Sequence, residues 1–317
     1  MASMFPSGME CLAVATFIIG VLFLFKGSDI LVEGTVKTAA KLGISTIIIS
    51  VLLVGFGTSA PEFAISVGAA VSKNSDISLG NIIGSCIANL FLVLGISAVI
   101  KPIKIEKGII KRELPITIAA TGVLVLASLF FLLDDYHLVG GILFIVLFVV
   151  FVWFFIRCAK KERQIDAFKS GDSLRNSVFI ILGIAGVVVG AWLLIQSSIT
   201  IAEIFGVPQY IIAVSIVAVG TSLPELTVSA MASFKGESDI AVGNVLGSNV
   251  FNILLILGFA AIFIPLSAYD SMLDITILLA VTLLMLPILH TGRTITRVEG
   301  VGMLFIYALF MIYVFLI

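Results

Sequence analysis

The chain has 317 residues, 60% hydrophobic and 12% charged, with a mean hydropathy of +1.26; a soluble domain carries about twice that share of charge, so this is a membrane protein. Eighteen basic against nineteen acidic residues offer no basic surface for nucleic acid, and Cys11, Cys86 and Cys158, odd in number and without CxxC spacing, argue against a disulfide framework or a thiolate zinc site. There is no GxxxxGK[ST] phosphate loop and no HExxH pair, so ATP-driven pumping by this chain alone is not expected, and neither enzymatic activity nor a cofactor is expected.

Crossing a hydrocarbon core of ~30 Å takes about 20 mostly apolar residues. Ten such runs follow one another, at 9–32, 44–71, 77–100, 114–133, 137–157, 176–203, 209–233, 240–264, 271–290 and 298–317. Period-two alternation is absent, so the spans are predicted to be helices, which satisfy their own backbone in lipid. The first run is kept as a span rather than a signal peptide, because no Lys or Arg precedes it and no convincing cleavage site follows before Lys26. Lys26 lies inside that span with Asp29 as its nearer partner. With the N-terminus outside, every Lys and Arg of the connections except Lys73 falls on the cytoplasmic side, which predicts an N-out, C-out topology. The one polar linker of any length, Arg157 to Arg175, is a solvated hinge between halves.

Two motifs recur at one offset. Gly57-Thr58-Ser59-Ala60-Pro61-Glu62 returns 163 residues later as Gly220-Thr221-Ser222-Leu223-Pro224-Glu225. Gly80-Asn81-Ile82-Ile83-Gly84-Ser85 returns as Gly243-Asn244-Val245-Leu246-Gly247-Ser248, and Asn89 as Asn252. Gly27 with Gly190 and Gly95 with Gly258 keep the same distance. Five spans per half is odd, so the halves enter the membrane in opposite senses, as two inverted repeats. Expected units are 1–157 with its motif region at 55–95, a cytoplasmic linker at 158–175, and 176–317 with its motif region at 218–258. Inverted repeats are a common plan of secondary transporters, whose ion sites lie near the midplane on interrupted helices.

Glu62 and Glu225 fall inside spans two and seven, where an unpaired carboxylate costs ~2.5–3.5 kcal/mol or more, and no basic residue is placed to neutralise either. Thr58 and Glu62 are four apart and share a helix face, as do Ser85 and Asn89, Thr221 and Glu225, and Ser248 and Asn252. These hard oxygen donors suit Ca²⁺, Na⁺, Mg²⁺ or Mn²⁺, whereas zinc or copper brings His or Cys. His137 and His290 lie near loops and are read as surface residues, and Cys86 as packing. Pro61 and Pro224 break the turn before them, so carbonyls of Gly55–Gly57 and Ala218–Gly220 become further candidate ligands. Glycines 80/84 and 243/247 are read as permitting close packing of spans three and eight. Two ionised glutamates carry a charge that one Ca²⁺ or two Na⁺ would neutralise, so the two ions can compete for one site, which is the basis of exchange.

GTSAPE followed by GNIIGSCIAN, repeated as GTSLPE followed by GNVLGSNVFN, resembles the alpha-repeats of the calcium/cation antiporter superfamily, nearest to the short prokaryotic sodium/calcium exchangers. The resemblance covers nearly the whole chain, including Gly27-Ser28-Asp29. It implies that Thr58, Ser59, Glu62, Ser85 and Asn89, with Thr221, Ser222, Glu225, Ser248 and Asn252 and the backbone of Gly55 and Ala218, surround calcium and sodium. It implies too that spans one and six slide across a core of spans two, three, seven and eight. Asn at 252, where potassium-dependent relatives carry Asp, argues against potassium co-transport, and GTSxPE in place of GNxxE favours sodium over protons. The expected function is sodium-driven calcium antiport by alternating access in the cell membrane, with the lipid bilayer and the two ions as partners and no obligatory protein partner. The alternatives are proton/calcium or other divalent-cation antiport and, less favoured, a cation channel.

Overall fold

A computed structural model describes residues 7–106, 108–162, 173–205, 220–290 and 292–316. In these the chain is almost wholly helical: α1 (Ser7–Leu42), α2 (Thr46–Thr58), α3 (Ala60–Val71), α4 (Ser75–Ile100), α5 (109–129), α6 (His137–Glu162), α7 (Ser173–Ile204), α8 (Leu223–Lys235), α9 (Ser238–Phe263), α10 (Met272–His290) and α11 (Arg297–Leu316). Seven of these helices are long and apolar enough to cross a bilayer, and the bent pair α2–α3 makes an eighth. Helix α5 opens on Lys111, Arg112 and Glu113 and leaves Leu114–Leu129 as its apolar part. Helix α8 is the described half of the span expected at 209–233. This agrees with ten crossings, with altered bounds. The first helix runs ten residues past the expected 32, and α6 continues into the expected linker as far as Glu162.

Helices α4 and α9 form the centre, with 78% and 83% of their most apolar stretches buried, against 28% for α1, α6 and α7. The innermost pair are thus the carriers of the GNxxGS motifs, and the outer helices present Leu, Val, Ile and Phe to lipid. A two-residue antiparallel ribbon pairs Ile103 with Ile295 and Lys104 with Thr294, joining the connection after α4 to the one before α11.

Helix α1 packs along α7 through backbone-close glycines. A Cβ on Gly27 would stand 2.7 Å from the Val187 nitrogen, and one on Gly190 would stand 2.6 Å from the Leu24 nitrogen. At about 1.5 Å per residue a 36-residue helix such as α1 is ~54 Å long, nearly twice the hydrocarbon thickness, so it tilts or projects. Asp29 of α1 does not pair with Lys26. Its carboxylate meets the Lys235 ammonium at 2.5 Å, at the end of α8, because the helix crossing brings a second element closer than its own neighbour in sequence.

Glycines also set the approach of the two halves. Helix α9 lies against α2, where a Cβ on Gly247 would come within 2.7 Å of the Val51 carbonyl oxygen and one on Gly243 within 3.0 Å of the Ser50 Cβ. The close packing expected of these glycines therefore falls between span eight and span two, not between spans three and eight. Gly80 and Gly84 face nothing described within 4 Å, and the segment related to α2 by the repeat lies outside the described residues. Replacing Gly247 with Ala drives a methyl into backbone that has no room to yield, an overpacking cost of about 1–3 kcal/mol. The expected outcome is a lower melting temperature in detergent for Gly247→Ala and none for Gly122→Ala, where a Cβ meets nothing within 4 Å; equal melting of the two would refute the contact.

Candidate functional site

The GTSAPE motif sits on a break. Helix α2 ends at Thr58, Ser59 leaves helical geometry at φ −79°, ψ 9°, and α3 restarts with Pro61 in its first turn, bent by 48°. Proline has no N–H to give the carbonyl four residues back, so the helix cannot run through. The second motif repeats the form, with Ser222 at φ −84°, ψ 5° ahead of α8 and Pro224 in its first turn. Three of the four π-helical turns among the described residues add to the irregularity here. Ser50–Val54 ends against Gly55, Asn89–Val93 begins at Asn89, and Phe251–Ile256 contains Asn252. Such turns loosen the backbone ladder and recur at functional sites.

These breaks put polar side chains into the apolar centre. Thr58, Ser59, Glu62, Ser85, Asn89, Thr221, Ser222, Glu225, Ser248 and Asn252 are all at most 3% exposed, and Gly55 is buried. Ala218 lies outside the described residues. The contacts cross between repeats. Ser59 Oγ donates to Glu225 Oε1 at 3.0 Å, and Ser248 Oγ stands 3.1 Å from the same oxygen and 3.2 Å from the Gly55 carbonyl. Thr58 Oγ1 donates to Asn244 Oδ1 at 3.0 Å and lies 3.4 Å from Ser248 Oγ. On the other side, Thr221 and Ser85 stand beside the Glu62 carboxylate, and the two carboxylates are near enough to repel. Thr58 and Ser59 therefore serve the glutamate of the opposite repeat. The shared helix face expected for Thr58 and Glu62 does not arise, because the helix is interrupted between them at Ser59.

The cluster holds more acceptors than protons. Thr58, Ser59 and Ser248 bring one hydroxyl proton each, and their contacts reach Glu225 Oε1, the Gly55 carbonyl and Asn244 Oδ1, which leaves Glu225 Oε2 without a donor. Seven buried oxygens of this cluster receive no hydrogen bond from the described residues: both of Glu62, Glu225 Oε2, Ser85 Oγ, Asn89 Oδ1, Ser222 Oγ and Asn252 Oδ1. Each such atom costs about 1–3 kcal/mol, more when charged. A cation is the species that satisfies many oxygens at once. No group of three or more His, Cys, Asp or Glu is placed to hold a metal among the described residues, and the carboxylates of this cluster are the two glutamates, with neutral oxygens around them.

Two pairs outside the expected ligand set complete the site. Asn81 Nδ2 donates to Ser66 Oγ at 2.8 Å, and Asn244 Nδ2 to Ser229 Oγ at 3.0 Å and to the Glu225 carbonyl at 3.3 Å. They tie each central helix to the helix that carries the glutamate. The signal was present, since Ser66 and Ser229 also stand 163 residues apart. Cys86 is packed in the core as expected, and His137 is half-buried, with its Nδ1 2.6 Å from the Ala261 carbonyl, which joins α6 to α9.

The sequence profile described as sodium/calcium exchanger protein matches residues 12–157 and 176–316. The chain belongs to the sodium/calcium exchanger family. It is 35% identical to the sodium/calcium exchanger MaX1 of Methanosarcina acetivorans, over 95% of this chain and 97% of that one. It is 36% identical to a putative antiporter, CaxA, of Alkalimonas amylolytica, over 89% and 92%. The crystal structure of the sodium-calcium exchanger NCX_Mj soaked with Na⁺ and Sr²⁺ superposes with a TM-score of 0.84 at 30% identity, covering 94% of this chain and 97% of that chain. The protein is accordingly a multi-pass membrane exchanger of the short two-repeat form, and its chemistry is cation exchange.

Removing the Asn244 amide strips Thr58 Oγ1 of its acceptor and Ser229 of its donor. Loss of one such buried bond, ~1–1.5 kcal/mol, corresponds to roughly a 5- to 10-fold weakening. Asn244→Ala is expected to raise the calcium half-saturation concentration by that factor in reconstituted vesicles; unchanged affinity would mean the amide does not organise the site.

Proposed function

We propose that this exchanger couples inward sodium movement to outward calcium movement in the cell membrane, through a single set of oxygens that serves both ions in turn. The observation that carries the reading is the ring of unpartnered buried oxygens around two carboxylates contributed by opposite repeats. The proposed ligands are Glu62 and Glu225, with Thr58, Ser59, Ser85, Asn89, Thr221, Ser222, Ser248 and Asn252 and the carbonyls of Gly55 and Ala218.

Charge sets the coupling. Two carboxylates left without a cation in a low-dielectric interior carry a penalty of several kcal/mol, so the transporter closes over the site only when it is loaded. One Ca²⁺ or two Na⁺ neutralise the pair, and each ion returns the protein across the membrane for the other. The moving part is the α1–α7 unit, whose glycine crossing joins the two helices while most of their surface faces lipid. Ile184 and Ile195 of α7 touch the backbone of Gly57 and Gly220, one in each GTS motif, so sliding of α7 bears on both halves of the site. In this scheme 1–157 and 176–317 are the two repeats, and 158–175 is the cytoplasmic linker between them.

Proteoliposomes loaded with sodium and diluted into sodium-free calcium medium are expected to accumulate calcium, while vesicles given only a proton gradient are not. Uptake that follows the proton gradient would assign proton/calcium exchange instead, and uptake with no gradient would indicate a channel. Glu62→Gln or Glu225→Gln, isosteric and uncharged, is expected to lower the sodium-driven rate at least 100-fold, on the order of 3 kcal/mol, with an unchanged elution profile; near-normal flux would reject the carboxylate assignment.

A further inference from the structure

Asn89 begins the π turn of α4, and its amide is held in one orientation by a two-bond relay. Asn249 Nδ2 donates to the Cys86 carbonyl at 3.1 Å, and Asn89 Nδ2 donates to Asn249 Oδ1 at 3.0 Å. A carbonyl only accepts, so Asn249 must turn its nitrogen to Cys86 and its oxygen to Asn89. Asn89 must then spend its nitrogen on Asn249, which leaves Asn89 Oδ1 buried, without a donor and available.

The repeat maps Asn89 onto Asn252 and Asn249 onto Cys86. The local contacts obey the same relation: Cys86 Sγ lies 4.0 Å from the Asn249 carbonyl, mirroring the bond from Asn249 to the Cys86 carbonyl, and Cys86 stands beside Asn252 as Asn249 stands beside Asn89. A thiol is a poor donor and a poor acceptor. Both amide atoms of Asn252 are accordingly buried without a hydrogen bond, whereas Asn89 has its nitrogen engaged.

We propose that Asn249 is a positioning residue that presents the Asn89 side-chain oxygen to the transported cation, and that Cys86, at the related place, leaves Asn252 free to turn. The two halves of an otherwise symmetric site are then unequal, with one amide pre-set for a cation and one that adapts to what is bound. This rests on the reading of Asn89 as a ligand.

The test is a double-mutant cycle on the full chain in sodium-loaded proteoliposomes, reading calcium half-saturation and maximal rate separately. Asn89→Ala and Asn249→Ala are each expected to raise the half-saturation concentration about 5- to 10-fold, with little change in maximal rate, and the double variant to go no further, because Asn249 acts through Asn89. Two single effects that multiply in the double variant, or an Asn249→Ala without effect beside a damaging Asn89→Ala, would overturn the inference while sparing the ligand reading. An Asn89→Ala without effect would overturn both. Cys86→Asn offers Asn252 the partner that Asn89 has and is expected to lower the half-saturation concentration; no change or a rise contradicts the assigned role of position 86.

Discussion

Two fully buried carboxylates, with no basic side chain paired to them among the described residues, are the constraint from which the rest of this structure follows. Glu62 and Glu225 are fully buried, three of their four oxygens take no hydrogen bond, and the hydroxyls around them bring too few protons. An interior of this kind is poor as a scaffold and suited to a cation with hard-oxygen preference. The surroundings can be understood as what keeps such a cluster assembled in a bilayer.

Three devices do this. Proline stands in the first turn of the helix after each GTS motif, so that Ser59 and Ser222 sit at a helix start rather than within a ladder. Glycines let the helices close to backbone contact, and Gly247 against Val51 draws the second repeat's central helix onto the first repeat's broken one. Asn81 and Asn244 then lock each central helix to its glutamate-bearing neighbour. Because each carboxylate takes its neighbours from both repeats, the site exists only where the halves meet, and a motion of one part against the other alters it on both sides. The long glycine-lined pair α1 and α7 faces lipid over most of its length and reaches that centre through Ile184 and Ile195.

Much of this was legible in the sequence because duplication makes signal stand out from packing. The ten spans, the inversion, the buried motif residues and the broken turns all follow from apolar run length, the 163-residue offset and proline chemistry. Pairing was not legible. Helical spacing put Thr58 with Glu62, and only the break at Ser59 sends it across to the second repeat. Proximity in sequence gave Asp29 to Lys26, while the crossing of α1 with α8 gives it to Lys235. The role of Asn249 was hidden because its repeat partner is Cys86, so no recurring residue type marked the position. Such contacts depend on where two helices meet in space, which a single sequence does not record.

The central claim is that sodium and calcium occupy one shared set of oxygens. The most direct measurement is equilibrium calcium binding to the purified exchanger in detergent, by radiolabelled calcium, across a series of sodium concentrations with ionic strength held constant by a large organic cation. The apparent calcium dissociation constant is predicted to rise steeply with sodium while the number of sites stays fixed. Calcium affinity indifferent to sodium, or sites lost at unchanged affinity, would contradict a shared site and with it the account of exchange given above.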